Sequence, residues 1–205
     1  MRGCVILTLL IATTAQATDY WPQDLGASWR YRIAGGYEFE LSILDFTYPC
    51  LEPCRVRTNG ELASEYYAGE LFVVNEDGDV YLAGLLHAGN DYSFWDCYSE
   101  PVLFLDLPLE VGKTWTDSTT DAIVSAEVTG ESQIITPAGE FSCFVVSHMV
   151  MDLNHFMPFN RTFWLNAQLG PVRIGDAELV SYDGIVPAET VTWGAVKSLY
   201  GDRRR

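Results

Sequence analysis

The chain repeats one short pattern, first as Leu25-Gly26-Ala27-Ser28-Trp29-Arg30-Tyr31 and then as Val111-Gly112-Lys113-Thr114-Trp115-Thr116. In each copy an acidic residue, Asp24 or Glu110, stands two positions before the Gly. Gly fits a turn in which φ is positive, and a Trp in an alternating run buries a large ring on one face of a sheet. The pattern therefore predicts two equivalent turns that each lead into a strand.

Alternation of apolar and polar residues dominates the rest of the chain. Residues 37–43 alternate with a period of two, and Gly35-Gly36 before them predicts a hairpin turn. Residues 123–135 predict a long strand that bends at Gly130, and Pro137-Ala138-Gly139 predicts the hairpin that follows. Helical spacing is weak throughout. We therefore expect an all-β fold, a curved antiparallel sheet or open barrel in a single domain with little helix.

The least regular stretch is residues 85–96, which we interpret as a long loop. Aromatic residues gather here and near a second predicted loop, and rings beside carboxylates can form a cleft for a sugar or another amphipathic molecule. The competing explanation is that these rings fill the core of a β protein. The candidate ligand-binding residues are Tyr66, Tyr67, Tyr92, Phe94 and Trp95.

The N-terminus predicts an export signal. Arg2 precedes the apolar run 4–12, and Ala15-Gln16-Ala17 fits a cleavage site. The run is far shorter than the roughly 20 residues that a membrane span needs. We predict a signal peptide over 1–17, one β domain over 18–199, a basic tail over 200–205, and a periplasmic or secreted location without a membrane span.

The formal net charge of −16 argues against two classes of partner. Such a surface repels the phosphate backbone of nucleic acids and disfavours anionic membranes. The oligomeric state is left open by the sequence.

Four cysteines follow the predicted signal peptide, and an even number in an oxidising compartment indicates two disulfides. Three pairings are possible. We favour Cys50–Cys54 and Cys97–Cys143, of which the longer loop would stabilise the fold by roughly 4 kcal/mol.

No pattern typical of a catalytic, metal or cofactor site stands out. His87, His148 and His155 lack the spacing of a zinc site. The acidic run 75–79 has its Gly in the wrong place for a helix-loop-helix calcium loop, and a hairpin turn explains it. Paired carboxylates for glycan hydrolysis remain an alternative, because the 28 acidic residues allow many pairs.

Six segments share one kind of feature, turns and aromatic strand starts: Asp19-Tyr20-Trp21-Pro22, Gly26–Tyr31, Pro108–Trp115, Thr136–Cys143, Phe163-Trp164-Leu165 and Gly170-Pro171-Val172-Arg173. With them the chain resembles a group of exported bacterial proteins of unknown function. The resemblance rests on turns and aromatic strand starts, and its last segments are also similar to a periplasmic family whose sheet is like that of lipoprotein carriers. It implies a β-rich exported fold, weakly supports ligand binding, and brings no catalytic residue with it.

Together these features favour a non-enzymatic exported binding or envelope-associated protein. Its ligand would be an apolar or amphipathic small molecule or a glycan, held in the concave face of the sheet. The alternatives are a secreted glycan hydrolase that uses paired carboxylates and a module for protein–protein interaction.

Overall fold

A computed structural model describes residues 20–22, 26–46, 54–59, 69–74, 79–88 and 93–184, with the backbone alone for 44–46, 54–59, 69–74, 86–88, 93–95 and 157. The described residues contain twelve strands and no helix. The predicted all-β fold is therefore confirmed. The strands are β1 (Ser28–Arg32), β2 (Glu38–Phe46), β3 (Cys54–Asn59), β4 (Gly69–Val74), β5 (Val80–Ala88), β6 (Ser93–Leu105), β7 (Thr114–Ser118), β8 (Ala122–Thr136), β9 (Gly139–Asp152), β10 (Met157–Asn166), β11 (Gly170–Ile174) and β12 (Ala177–Asp183).

The strands form one antiparallel sheet in the order β6-β5-β4-β3-β2-β1-β12-β11-β10-β9-β8-β7. The sheet curls until its two edge strands lie side by side. There the Leu103 amide of β6 donates to Asp117 Oδ2 of β7 at 2.7 Å, and Trp115 Nε1 of β7 donates to the Phe104 carbonyl at 3.3 Å. Because side chains and not a backbone ladder join these edges, the architecture is an open barrel.

Both copies of the repeated pattern lead from a turn into a strand, as predicted. Gly26 and Gly112 have φ of 80° and 86°, which an L residue rarely adopts. β1 begins two residues after Gly26, and β7 begins two residues after Gly112.

The longest hairpin bends where the sequence predicts it. A bulge between Val128 and Gly130 interrupts the pairing of β8 with β9, and the hairpin turns at residues 136–139. Successive residues of a strand face opposite sides of a sheet. Phe144 therefore contacts one hydrophobic cluster and Cys143 the other, so the two clusters lie on opposite faces of this hairpin.

The first cluster fills the inside of the curled sheet and is centred on Phe104, Val146 and Phe163, with Tyr20 and Trp21 packed into it. The second is centred on Trp29, Tyr31 and the buried residues of β2, β11 and β12. An indole and a phenol are anchored at its base, since Trp29 Nε1 donates to the Leu169 carbonyl at 2.7 Å and Tyr31 Oη to the Pro171 carbonyl at 2.6 Å.

Two sequence-based expectations are wrong. Residues 85–96 do not form one long loop, because β5 extends to Ala88 and β6 begins at Ser93, and the two strands pair. The favoured Cys97–Cys143 disulfide is not formed: Cys143 is a free, buried thiol, and Cys97 is disulfide-bonded to a different residue. The four cysteines therefore do not form both predicted disulfides. Burial raises the pKa of that thiol to about 11, which keeps it protonated and unreactive at neutral pH.

Other expectations fall outside the described residues. These are the signal peptide, the basic tail and the side chains of Cys50 and Cys54. The domain boundaries and the Cys50–Cys54 pairing stay predictions. Among the described residues, no helix is long and apolar enough to cross a membrane.

Candidate functional site

A polar groove lies on the outer face of strands β7 to β10, with a volume of about 720 Å³. Two rows of cross-strand neighbours form its floor. We call this surface the β7–β10 groove. From β7 to β10, its first row consists of Thr114, Glu127, Ser147 and Thr162, and its second row consists of Thr116, Ser125, Met149 and Asn160.

The turn between β11 and β12 forms one wall of the β7–β10 groove. Ile174 and Gly175 line it, and the Gly175 amide donates to the Thr162 carbonyl at 2.8 Å, which holds the turn against β10. Ser147 and Met149 lie on the same face of β9 as Cys143, which packs into the second cluster. The groove is thus the part of that face that the second cluster leaves uncovered.

The chemistry of the β7–β10 groove is mainly that of neutral hydrogen-bonding groups. Its two rows present hydroxyls, one amide, the thioether of Met149 and the carboxylate of Glu127, and Arg161 also lines it, so its described lining holds one acidic and one basic residue. Hydroxyls and amides both donate and accept hydrogen bonds, so such a surface suits an uncharged ligand rich in hydroxyl groups.

The inside of the curled sheet offers much less space. A cavity of about 20 Å³ lies between Phe104, Phe163 and their neighbours, enough for about one water molecule. His148 adjoins this cavity, with its ring 4.3 Å from the ring of Phe104 and 5.5 Å from that of Phe163. Where its side chains are described, the inside of the sheet is therefore a packed core, and His148 is part of it.

A second group of polar side chains lies where β6 meets the β7–β8 and β9–β10 turns. We call Asp96, Asp152 and His155 the Asp–Asp–His cluster, and their potential ligand atoms all lie within 4.8 Å of one another. His155 Nδ1 is 3.1 Å from Asp152 Oδ2 and 3.4 Å from Asp96 Oδ2. Asp152 is completely buried, and its other oxygen accepts the amides of Asn154 at 2.8 Å and His155 at 3.2 Å.

Asp121 in the β7–β8 turn fastens this end of the sheet to β6. Its Oδ2 accepts both the amide and the hydroxyl of Ser99 at 2.6 Å, and its Oδ1 lies 3.5 Å from Asn154 Nδ2. The hydrogen bond from the Ser99 hydroxyl is the main reason that the pKa of Asp121 is lowered, against the opposing effect of burial.

The structure describes little of the site that the aromatic residues suggested. Tyr66, Tyr67 and Tyr92 lie outside the described residues, and only the backbone is described for Phe94 and Trp95. Both of the latter sit on β6, opposite His87 and Leu86 of β5. Their role in ligand binding remains a prediction.

The Asp–Asp–His cluster is not apparent from the sequence, although Asp96 directly follows the candidate aromatic residues. Asp96 is distant in the chain from Asp152 and His155, and only the curl of the sheet brings it to them. The one local signal is Asp152-Leu-Asn-His155, in which three of four side chains can donate or accept at a turn.

No family model matches the chain, and no curated protein matches it at a significant level. Two solved structures are similar to it. One is a candidate lipoprotein from Parabacteroides distasonis, with 14% identity and a TM-score of 0.35, over 82% of this chain and 99% of that one. The other is a candidate exported protein with a YmcC-like fold from Bacteroides fragilis, with 13% identity and a TM-score of 0.38, over 81% and 99%. At this level of similarity neither structure carries an argument about function.

Proposed function

We propose that the protein is an exported, non-enzymatic binding protein that takes a neutral glycan or a similar amphipathic molecule in the β7–β10 groove. The observation that carries the proposal is the groove itself. Its volume of about 720 Å³ falls within the range of roughly 300–1,000 Å³ that is typical of ligand sites. Hydroxyl and amide groups on its floor can exchange hydrogen bonds with a sugar, while Met149 and Ile174 can contact the apolar faces of the ring.

The position of the ligand differs from the one that the sequence favours. A carrier of apolar molecules would need room inside the curled sheet, and the cavity of about 20 Å³ among the described residues there is far below the size of a ligand site. The outer groove is open and polar, which supports weak, reversible binding of an amphipathic molecule.

Glycan hydrolysis is less well supported. A glycosidase places two carboxyl groups on either side of the bond that it cleaves, roughly 5–9.5 Å apart. Among the described residues that line the β7–β10 groove, Glu127 is the sole carboxylate. Asp96 and Asp152 are close together elsewhere, but Asp152 is completely buried and cannot contact a substrate.

A docking role for apolar surface is also less well supported. The described large apolar side chains that are exposed come from separate elements, for example Tyr37 before β2, Ile135 at the tip of the long hairpin and Phe156 in the β9–β10 turn. Singly scattered apolar residues of this kind are normal on soluble proteins.

The test is titration calorimetry of linear neutral oligosaccharides, chosen by native mass spectrometry, against wild type and two variants. Ser147→Ile removes a hydroxyl from the centre of the groove floor and fills space there, and isoleucine suits a strand. Ser181→Ile makes the same change at an exposed position of β12, outside the groove.

We expect Ser147→Ile to weaken binding at least about tenfold, which is a loss of roughly 1.4 kcal/mol, and Ser181→Ile to leave it unchanged. A panel in which no oligosaccharide binds, or in which both variants bind as wild type does, would refute the groove as the binding site.

A further inference from the structure

The Asp–Asp–His cluster carries chemistry that the proposed glycan groove does not use. It combines one imidazole nitrogen with two carboxylates, a mixed donor set that suits Zn²⁺. It lies at the end of the sheet where the β7–β8 and β9–β10 turns meet β6, and none of its three residues lines the β7–β10 groove. The two sites can therefore be tested separately.

Two of the three distances within the cluster match those around a tetrahedral ion, and the third, between the two carboxylates, is at most 4.8 Å. Zn²⁺ binds nitrogen and oxygen at about 2.0–2.2 Å, so neighbouring ligand atoms in a tetrahedron lie about 3.3 Å apart. His155 Nδ1 is 3.4 Å from Asp96 Oδ2 and 3.1 Å from Asp152 Oδ2. An ion can thus reach all three side chains with small adjustments.

The charge of the cluster is the second, independent observation. A fully buried carboxylate is costly unless a cation balances it. Asp152 has no exposed surface, and among the described residues no Lys or Arg comes within 4.0 Å of Asp96, Asp121 or Asp152. Hydrogen bonds from the amides of Asn154 and His155 satisfy one oxygen of Asp152, and its other oxygen lies against His155 Nδ1, a nitrogen that can bind a metal ion.

The surroundings hold the ligand atoms in place. The two amides on Asp152 Oδ1 leave its Oδ2 directed at His155, and Asn154 Nδ2 lies 3.3 Å from Asp96 Oδ2. Groups that orient the ligands in this way are a regular part of metal sites. The side chains of Asp96 and His155 are 21% and 33% exposed, so an ion can enter from solvent and keep a water molecule as its fourth ligand.

We propose that Asp96, Asp152 and His155 bind one Zn²⁺ ion, which ties β6 to the β9–β10 turn. Binding requires the imidazole to give up the hydrogen on Nδ1, and that proton passes to solvent. The role of the ion would be to stabilise this end of the open barrel.

The test uses the full chain with any affinity tag removed, since a polyhistidine tag would itself bind zinc. Native mass spectrometry gives the number of Zn²⁺ ions per chain, and calorimetry against a competing chelator gives the affinity. The variants are Asp96→Asn and His155→Gln, because replacing the buried Asp152 risks the fold. Asp176→Asn, in the exposed β11–β12 turn, is the matched control for the loss of one carboxylate.

We expect one Zn²⁺ per wild-type chain, a loss of affinity of at least about tenfold in Asp96→Asn and in His155→Gln, and no change in Asp176→Asn. Zn²⁺ should also raise the melting temperature of wild type more than that of the two site variants.

Three outcomes would overturn the proposal. The first is the absence of bound Zn²⁺, which would make the cluster a hydrogen-bonded structural feature. The second is binding that survives in both site variants, which would place the ion on other surface carboxylates. The third is binding of Ca²⁺ or Mn²⁺ in preference to Zn²⁺. None of these outcomes bears on the glycan groove.

Discussion

The two copies of the repeated pattern have the same local geometry and very different surroundings. In the first, the Gly26 amide donates to the Ile43 carbonyl at 3.0 Å, and the Ile43 amide donates back to Ala27 at 2.8 Å. In the second, the Gly112 amide donates to the Val128 carbonyl at 2.8 Å, and the Val128 amide to Lys113 at 2.9 Å. The short pattern therefore encodes one turn with its hydrogen bonds, independently of where it stands in the sheet.

The surroundings differ in how the following strand is held. β1 lies inside the sheet and pairs with β2 on one side and β12 on the other. β7 pairs with β8 alone, and its other edge meets β6 through side chains. The repeated motif therefore fixes a turn, while the position of the following strand in the sheet sets how much stability that turn supports.

The largest expected effect comes from truncating the two tryptophans. Trp29 is 2% exposed with an indole hydrogen bond of 2.7 Å, and Trp115 is 7% exposed with one of 3.3 Å. We expect Trp29→Ala to lower the free energy of unfolding by about 5 kcal/mol and Trp115→Ala by about 3 kcal/mol, the two ends of the usual range. Urea denaturation followed by circular dichroism measures both values.

If an alanine variant does not fold, Trp29→Phe and Trp115→Phe allow the losses of unfolding free energy at the two positions to be compared instead. Each retains a ring but leaves a buried carbonyl without its donor, at a cost of about 1–3 kcal/mol. Equal losses at the two positions, or a larger loss at Trp115, would contradict the view that the sheet position sets the difference.

A smaller and equal effect is expected at the two glycines. Both have a positive φ, and a Cβ added at either would lie in open space, so Ala meets backbone strain and no clash. We expect Gly26→Ala and Gly112→Ala each to cost about 1–2 kcal/mol, and the Asn variants to cost less, since Asn tolerates this conformation better. Urea denaturation again gives the values.

Gly130→Ala is the control for these substitutions. This glycine also has open space but no positive φ. Ala there should be neutral or slightly stabilising, because it restricts the unfolded chain. If Gly130→Ala costs as much as the other two, strain at positive φ is not the cause.

Much of the fold could be predicted from local sequence, for physical reasons. A period of two places residues on alternate faces, so residues 123–135 could be assigned to a strand, and Gly130 marked its bulge. The β5–β6 hairpin was missed because its pairing is decided by neighbours in the sheet. Leu85 lies opposite Asp96, and the sequence around these residues does not alternate between apolar and polar in a way that predicts the pairing.

The candidate site could be predicted far less well. The β7–β10 groove consists of polar residues that look like any exposed strand face until the strand order aligns them. The Asp–Asp–His cluster forms only where Asp96 of β6 meets the end of β9 and the turn after it. In the strand order β6 and β9 lie toward opposite edges of the sheet, and the curl of the sheet brings them together.

The smallest effect is expected at the side-chain hydrogen bonds that join β6 to the β7–β8 turn, where the two edge strands have no backbone ladder. Asp121 accepts two hydrogen bonds from Ser99 of β6, and Asp121→Asn weakens both by removing the charge. We expect a loss of about 1 kcal/mol near neutral pH, with Asp176→Asn as the exposed control. Urea denaturation in the presence of a chelator measures the loss without interference from metal.

The pH dependence tests whether the ionised carboxylate is the cause. The pKa of Asp121 is lowered from 3.8 in the folded protein, so its contribution is fully present well above pH 3.8. As the pH falls through 3.8 toward the lower folded value, the unfolded chain binds a proton at this carboxylate before the folded chain does, and the contribution is lost. The difference between wild type and Asp121→Asn should therefore be constant from pH 7 to about pH 5 and shrink below pH 4. If the difference in unfolding free energy between wild type and Asp121→Asn stays the same at acid pH, packing of the β7–β8 turn, and not the charge of Asp121, holds β7 against β6.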